Sequence, residues 1–277
     1  MTGKIAFQGE LGAYSHQACV EARPGFTPHP CASFQDAIEA VRDGTCDLGM
    51  IAVENSTYGR VADVHSLLPE SRLHIVDEHF IRVHVNLLGV PGARLDDVKQ
   101  AHGHVVILPQ CSRFLRANGI MGAVSPDNAR AARDVRAWGD VSQAALASEL
   151  AAEIYGLSIL AAKIEDNANN TTRFLIMARD ADMTRRGSGK MITAFVFRVR
   201  NIPAALYKAM GGFATNGINM TKLESYMVGG DFTATQFYAE VDGHPEDENM
   251  IRAFEELDHF TDLITVLGTF PADPRRT

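Results

Sequence analysis

Between Ile192 and Gly268 the chain offers an order of elements that leaves few folds open. An apolar strand over Ile192–Arg198 is followed by a helix entered through Pro203 and running over Ala204–Thr215, then by an Asn216-Gly217 turn. A strand over Met220–Ser225, a Gly229-Gly230 hairpin turn, a strand over Phe232–Val241, a helix over Glu246–Leu257 and a strand over Leu263–Gly268 complete it. The order is βαββαβ, that of a ferredoxin-like domain. The tail after Phe270, with its prolines and arginines, is expected to fray.

Upstream, short apolar runs alternate with amphipathic stretches, the pattern of helices packed on a largely parallel sheet. Strands are expected at Ile5–Phe7, Leu48–Val53, Val85–Val90, Val105–Leu108, Ser158–Ala162 and Phe174–Ala178. Ser33-Phe34-Gln35-Asp36 has capping spacing ahead of Ala37, Ile38 and Val41, and Ser125-Pro126 puts proline at a first helical position. The polar, basic, glycine-containing segment 179–190 reads as a linker, so the chain divides into an α/β region over 1–182 and a second domain over 190–271.

Several function classes drop out. The apolar runs, such as Ile154–Ala162, fall well short of the roughly 20 residues of a membrane span. The start, Met1-Thr2-Gly3-Lys4-Ile5, carries no secretory pattern, and four cysteines (Cys19, Cys31, Cys46, Cys111) without C-x-x-C spacing suit reduced thiols and a cytoplasmic setting. A formal net charge of -8 gives no footprint for nucleic acid or a membrane surface, so an anionic substrate needs locally placed Arg or backbone N–H groups.

Three polar constellations border expected strand ends, where open α/β sheets bind ligands. Asn169-Asn170-Thr171-Thr172-Arg173-Phe174 offers a guanidinium that can grip a carboxylate and hydroxyls that can donate to developing charge; the alternative is an Asx-rich turn with a surface Arg. Glu54-Asn55-Ser56-Thr57-Tyr58-Gly59-Arg60 offers one carboxyl, an amide and hydroxyls, or else a capping turn feeding a helix over 61–68. Gln8-Gly9-Glu10-Leu11-Gly12, leading into Ala13-Tyr14-Ser15-His16, has the form of an anion cradle at a helix start but not the spacing of a nucleotide fingerprint. His102-x-His104 lacks a third ligand, and no metal site is expected; Cys111 reads as a core thiol at a helix start.

Taken together, Ile5-Ala6-Phe7-Gln8-Gly9-x-x-Gly12-Ala13-Tyr14-Ser15-His16, Val53-Glu54-Asn55-Ser56, Gln110-Cys111-Ser112-Arg113-Phe114-Leu115 and Asn170-Thr171-Thr172-Arg173-Phe174 resemble the prephenate dehydratase family. The C-terminal part resembles the ACT domain fused to it. The resemblance implies a catalytic region of two lobes, like a periplasmic binding protein, with prephenate between them. The chain would cross to the second lobe near His79 to His84 and return near Lys163, placing that lobe at about 80–163. It also implies loss of carbon dioxide and the ring hydroxyl to give phenylpyruvate, without a cofactor because aromatisation supplies the driving force.

By that resemblance Thr172 hydrogen-bonds the leaving hydroxyl, Arg173 binds a substrate carboxylate and Phe174 lines the ring pocket. Glu54, Asn55 and Ser56 form a polar wall, Ser15, Gln110 and His104 add contacts, and Glu54 becomes a proton source if burial raises its pKa. An effector site for phenylalanine would draw on Ala205, Leu206, Asn219, Met220, Glu224 and Ser225. Here Ala204-Ala205-Leu206 stands for the family's Gly-Ala-Leu, and Glu224-Ser225-Tyr226-Met227 for Glu-Ser-Arg-Pro, so a dimerisation module without effector is the alternative. A homodimer or homotetramer is implied. Arogenate as substrate, or a non-catalytic sensor on the same cleft, are the competing readings.

Overall fold

The structure, a computed structural model, describes residues 3–61, 64, 67–184, 189–227 and 234–276. Its contacts form two compact units, Met1–Val64 with His79–Phe174, and His65–Glu78 with Leu175–Thr277. The second unit is thus discontinuous in sequence, where the reading of the linker divided the chain at one place.

In the first unit, β1 (Gly3–Gln8) lies between β2 (Phe26–Cys31) and β3 (Leu48–Asn55), parallel to both, and the short β4 (Gly59–Arg60) folds back on β3. Helices α1 (Tyr14–Ala22) and α2 (Phe34–Arg42) connect them. Ser33 starts α2 as expected, its hydroxyl accepting from Asp36 N–H at 3.1 Å. β2 went unrecognised because FTPHPC carries two prolines; it is an edge strand, where a missing N–H costs little. After β5 (His74–Arg82), a second sheet holds β6 (Asn86–Gly89), β7 (Gln100–Gly103), β8 (Met121–Val124), β9 (Gln143–Ala147) and β10 (Ser158–Ala161) in the order β10-β6-β9-β7-β8. It is mixed: β7 runs parallel to β8 and β9, while β6 is antiparallel to β9 and β10.

Two expectations are corrected in this sheet. Val105–Leu108 is not a strand: Ile107 N–H donates to His104 C=O at 2.8 Å, Leu108–Cys111 is a turn of 3₁₀ helix, and the strand lies earlier, at β7. Pro126 does not open a helix either. After α3 (Ser112–Ala117), α4 (Asn128–Trp138) begins one residue past Asp127, whose carboxylate caps it by accepting from Arg130 N–H at 2.9 Å. α5 (Glu149–Tyr155) is capped in the same way by Ser148, and β11 (Thr171–Ala178) lies beside β3. The core beneath the first sheet includes Ile5, Phe7, Val41, Met50 and Ile51, and that of the second includes Val85, Leu87, Ala101, Cys111 and Leu146.

The second unit contains β12 (Met191–Val199), α6 (Ala205–Thr215), β13 (Met220–Met227), β14 (Ala234–Asp242), α7 (Glu248–Asp258) and β15 (Thr261–Pro271). The antiparallel order β13-β14-β12-β15 is the ferredoxin-like arrangement the sequence order called for. Phe195, Phe197, Phe213 and Phe237 stack in its core with Met250 and Leu257. The Gly229-Gly230 turn and the start of the following strand lie outside the described residues, as does half of the helix weighed for 61–68.

The tail is not frayed. Ala272 N–H donates to Lys190 C=O at 2.8 Å, and Arg276 reaches two carboxylates buried at zero exposure: its Nε donates to Glu78 at 2.7 Å and its Nη2 to Glu240. Tyr238 OH also donates to Glu240, and Asp273 N–H donates to Glu78 at 2.9 Å.

Candidate active site

Because β3 and β11 are neighbours, the end of one and the start of the other bring Glu54-Asn55-Ser56 against Asn170-Thr171-Thr172-Arg173. The junction is stitched by backbone and hydroxyl. Ser56 N–H donates to Thr171 C=O and Thr171 N–H to Ser56 Oγ, both at 2.9 Å, while Ser56 Oγ donates to Asn169 C=O at 2.8 Å. Ser56 therefore builds the wall rather than facing a ligand.

Arg173 is 3% exposed, and its Nη1 donates to Glu54 Oε1 at 3.1 Å; its guanidinium carbon lies 6.0 Å from the Phe80 ring centroid. Burial of a guanidinium beside a carboxylate and an aromatic face holds it in one orientation. The Glu54 side chain keeps 31% of its exposure, so the burial on which its use as a proton source depended is only partial. Phe174 is 1% exposed and sits in the core, with no open face for a ring.

Asn55 Nδ2 donates to Asn170 Oδ1 at 2.7 Å and to Thr172 Oγ1 at 3.0 Å. Its Oδ1 accepts from the N–H groups of Thr57 and Tyr58 at 2.9 and 3.1 Å. Gln110 arrives from the 3₁₀ turn of the second sheet: Asn170 Nδ2 donates to its Oε1, and its Nε2 donates to Val106 C=O at 2.8 Å. Thr172, Asn55, Glu54, Arg173 and Gln110 are thus brought together. Phe80 and Asn170 join them, the first in a strand the sequence did not reveal, the second quoted within a motif but given no role.

Ser15 and His104 are not tied to this cluster. The Ser15 hydroxyl, in the first turn of α1, has no partner among the described residues. His104 holds the turn leading to Gln110: its N–H donates to Asn128 Oδ1 at 2.8 Å and its Nδ1 accepts from Val106 N–H at 3.5 Å. His102 is engaged elsewhere, 2.7 Å from Gln143 Oε1 and edge-on to Trp138, so the two histidines do not converge. The Cys111 thiol is in the core, where burial above all, helped by Asp166 and Glu165, pushes it up to about 12.

The glycine loop is not an anion cradle. Gly9 N–H donates to Cys31 C=O, Ala13 N–H to Glu10 C=O and Gly12 N–H to His16 Nδ1, all at 3.0 Å. Burial holds that imidazole below its ordinary value, so His16 stays a neutral acceptor. The loop's outer groups clasp the second sheet's helices instead: Ser148 Oγ donates to Gly12 C=O at 2.6 Å, Tyr155 OH to Leu11 C=O at 2.8 Å and Arg133 Nη1 to Glu10 at 2.6 Å. Gly12 has φ +94°, and a methyl there would stand 2.9 Å from Ala151 Cα. Gly12→Ala is expected to lower stability by about 2 kcal/mol or more, through both strain and displacement of α5, read as a fall in the urea midpoint.

At the chain's return to the first sheet, Glu165 accepts from Val85 N–H at 2.9 Å and lies 2.8 Å from His84 Nδ1. Burial raises its carboxyl, but the hydrogen bonds from His84 and Val85 outweigh that and hold it below the usual range.

In the second unit, Ala205 and Leu206 line a pocket of about 290 Å³ with Asn201, Ile202 and Phe237. The other four expected effector residues are not in it. Asn219 Nδ2 donates to Asp242 at 2.8 Å, Met220 packs on the core, Glu224 pairs with Lys222 at 3.6 Å, and Ser225 stands opposite Phe237 in the strand register.

Comparison with known proteins agrees with this arrangement. The family model for prephenate dehydratase matches residues 5–182. The bifunctional N-acyl-homoserine lactone acylase/prephenate dehydratase of Komagataeibacter europaeus is 50% identical over 273 residues, 98% of this chain and 97% of that one. Arogenate dehydratase/prephenate dehydratase 1 of Arabidopsis thaliana is 37% identical, over 98% of this chain and 72% of that one. The crystal structure of prephenate dehydratase from Arthrobacter aurescens in complex with L-Phe superposes with a TM-score of 0.88 at 26% identity, covering 98% of this chain and 90% of that one. With the family model matching from β1 to beyond β11, where the hydrogen-bonded cluster is built, the chain belongs to the prephenate dehydratase family.

Proposed function

We propose that this chain is a prephenate dehydratase, a carbon–oxygen lyase that converts prephenate to phenylpyruvate in phenylalanine biosynthesis. One observation carries the reading: the Thr172 hydroxyl accepts from Asn55, and its own proton has no acceptor among the described residues, beside a buried Arg173. As the ring carboxylate leaves as carbon dioxide, the electrons of the broken C–C bond enter the ring and the C–O bond breaks, its electron pair leaving with the hydroxyl as hydroxide, which takes up a solvent proton to become water. Thr172 donates a hydrogen bond to the oxygen that gains charge, and Arg173 holds a carboxylate. Aromatisation drives the step, so no electron-sink cofactor is required.

Residues 1–182 form the catalytic region on this reading and 190–271 an ACT regulatory domain, with phenylalanine as effector near Ala205 and Leu206. The likeness to an L-Phe complex supports that assignment. A soluble cytoplasmic homodimer or homotetramer completes the proposal. The name of the Komagataeibacter relative motivates a second reading, hydrolysis of an N-acyl-homoserine lactone. Burial pushes all four thiols up, so none of them suits the nucleophile of an amide hydrolysis, and the family model over residues 5–182 is that of the dehydratase, so this reading stands second.

The test is phenylpyruvate formation from prephenate by the purified protein, with arogenate and an N-acyl-homoserine lactone in parallel, each with and without phenylalanine. Turnover of prephenate, suppressed by phenylalanine, is expected. Turnover of arogenate alone or of the lactone alone replaces the substrate assignment, and turnover of none favours a sensor.

A further inference from the structure

The amides beside Thr172 form a chain whose polarity is fixed at both ends by backbone groups. Thr57 and Tyr58 present N–H groups, which only donate, so the Asn55 atom they meet is Oδ1 and the atom facing Thr172 and Asn170 is Nδ2. At the other end, Val106 presents a carbonyl, which only accepts, so the Gln110 atom there is Nε2 and the atom facing Asn170 is Oε1. Asn170 stands between them, 1% exposed, with its Oδ1 toward Asn55, its Nδ2 toward Gln110 and its carbonyl accepting from Val83 N–H at 2.9 Å. Neither orientation can flip without setting two donors or two acceptors against each other inside the protein. The consequence reaches Thr172, whose oxygen is kept as an acceptor from Asn55 and whose proton must point elsewhere.

We propose that Asn170 is a positioning residue: by holding the donor end of the Asn55 amide, whose polarity the Thr57 and Tyr58 N–H groups set, it steadies Thr172 as a hydrogen-bond donor toward the departing hydroxyl, and through Gln110 it ties that arrangement to the second sheet. This rests on the dehydratase reading above. Losing Asn170 takes away one of the two acceptors that hold Asn55 Nδ2, so the amide, anchored then at its Oδ1 by Thr57 and Tyr58 alone, sits less firmly against Thr172 Oγ1 and the Thr172 proton is aimed less steadily. Substrate binding through Arg173 is untouched.

The experiment is steady-state kinetics on prephenate for wild type, Asn170→Ala, Asn55→Asp, Thr172→Ala and the two double variants with Thr172→Ala, with thermal melting of each. Asn55→Asp keeps the size of the side chain while exchanging the Nδ2 donor for an acceptor, so it tests the polarity even if Asn170→Ala folds poorly. Each of the two substitutions alone is expected to lower kcat about 10- to 100-fold, a share of what a positioned proton donor supplies, with KM within about threefold. Neither should lower kcat further once Thr172 is alanine, because both act through its hydroxyl. Unchanged kcat in Asn55→Asp, or equal losses with and without Thr172, would overturn the proposal alone. Absence of prephenate turnover by the wild type overturns the dehydratase reading, and the proposal with it.

Discussion

Thr172→Ala is expected to reduce kcat for prephenate by about 10²- to 10³-fold, the range associated with one positioned hydrogen-bond donor to developing charge, while KM stays near the wild-type value. The substitution removes a half-buried hydroxyl that has Asn55 as its one partner among the described residues, and Asn55 Nδ2 keeps its second acceptor, Asn170 Oδ1, at 2.7 Å. No buried donor is orphaned, so the melting temperature should hardly move. The Arg173–Glu54 pair stays in place. Initial rates over a range of prephenate concentration decide the matter, and full turnover in the variant would remove Thr172 from the chemistry.

The second large effect belongs to stability. Arg276→Met should destabilise the second unit by about 3–5 kcal/mol, the cost of removing one member of a buried ion-pair cluster. Glu78 and Glu240 have no exposure, and the single guanidinium of Arg276 touches both. Hydrogen bonds from Tyr238 and Asp273 remain and soften the loss. Denaturant unfolding followed in the second unit measures it. Adding Glu78→Gln and Glu240→Gln to the Met variant should recover most of the loss, since amides of the same shape carry no charge to bury. An unaltered midpoint in Arg276→Met would show that the pair adds nothing to stability.

These two residues mark the ends of what the sequence discloses. Thr172 and Arg173 sit in a motif beside an apolar strand, and the resemblance attached a chemistry to them before any geometry was known. The βαββαβ order was equally open, because punctuation by Pro203 and Asn216-Gly217 is local. Arg276 was read as part of a loose tail, since its partners are 198 and 36 residues away and no local pattern signals a long-range pair. β9, QAALA, is alanine-rich and gives no strand alternation; it is a strand because β6 and β7 flank it on both sides. The glycine loop misled for a related reason. Its N–H groups suit an anion in isolation, and only the folded chain shows them already paired. Asn170 needed both backbone ends of its amide chain to be placed before its task was visible.

The sequence split of the second unit bears on how the protein is made. Ile75 pairs with Gly268, and so closely that a methyl on that glycine would lie 2.0 Å from the Ile75 carbonyl oxygen. On the ribosome, the early strand emerges long before its mate is translated, and Glu78 waits just as long for Arg276. An open strand edge persists until synthesis is nearly complete, a window in which a chaperone or a neighbouring nascent chain can occupy it. Nor is the C-terminal part a cassette that recombination can lift out cleanly: a gene cut at residue 182 would carry away the mate of Ile75 and the counter-ion of Glu78 while leaving both behind.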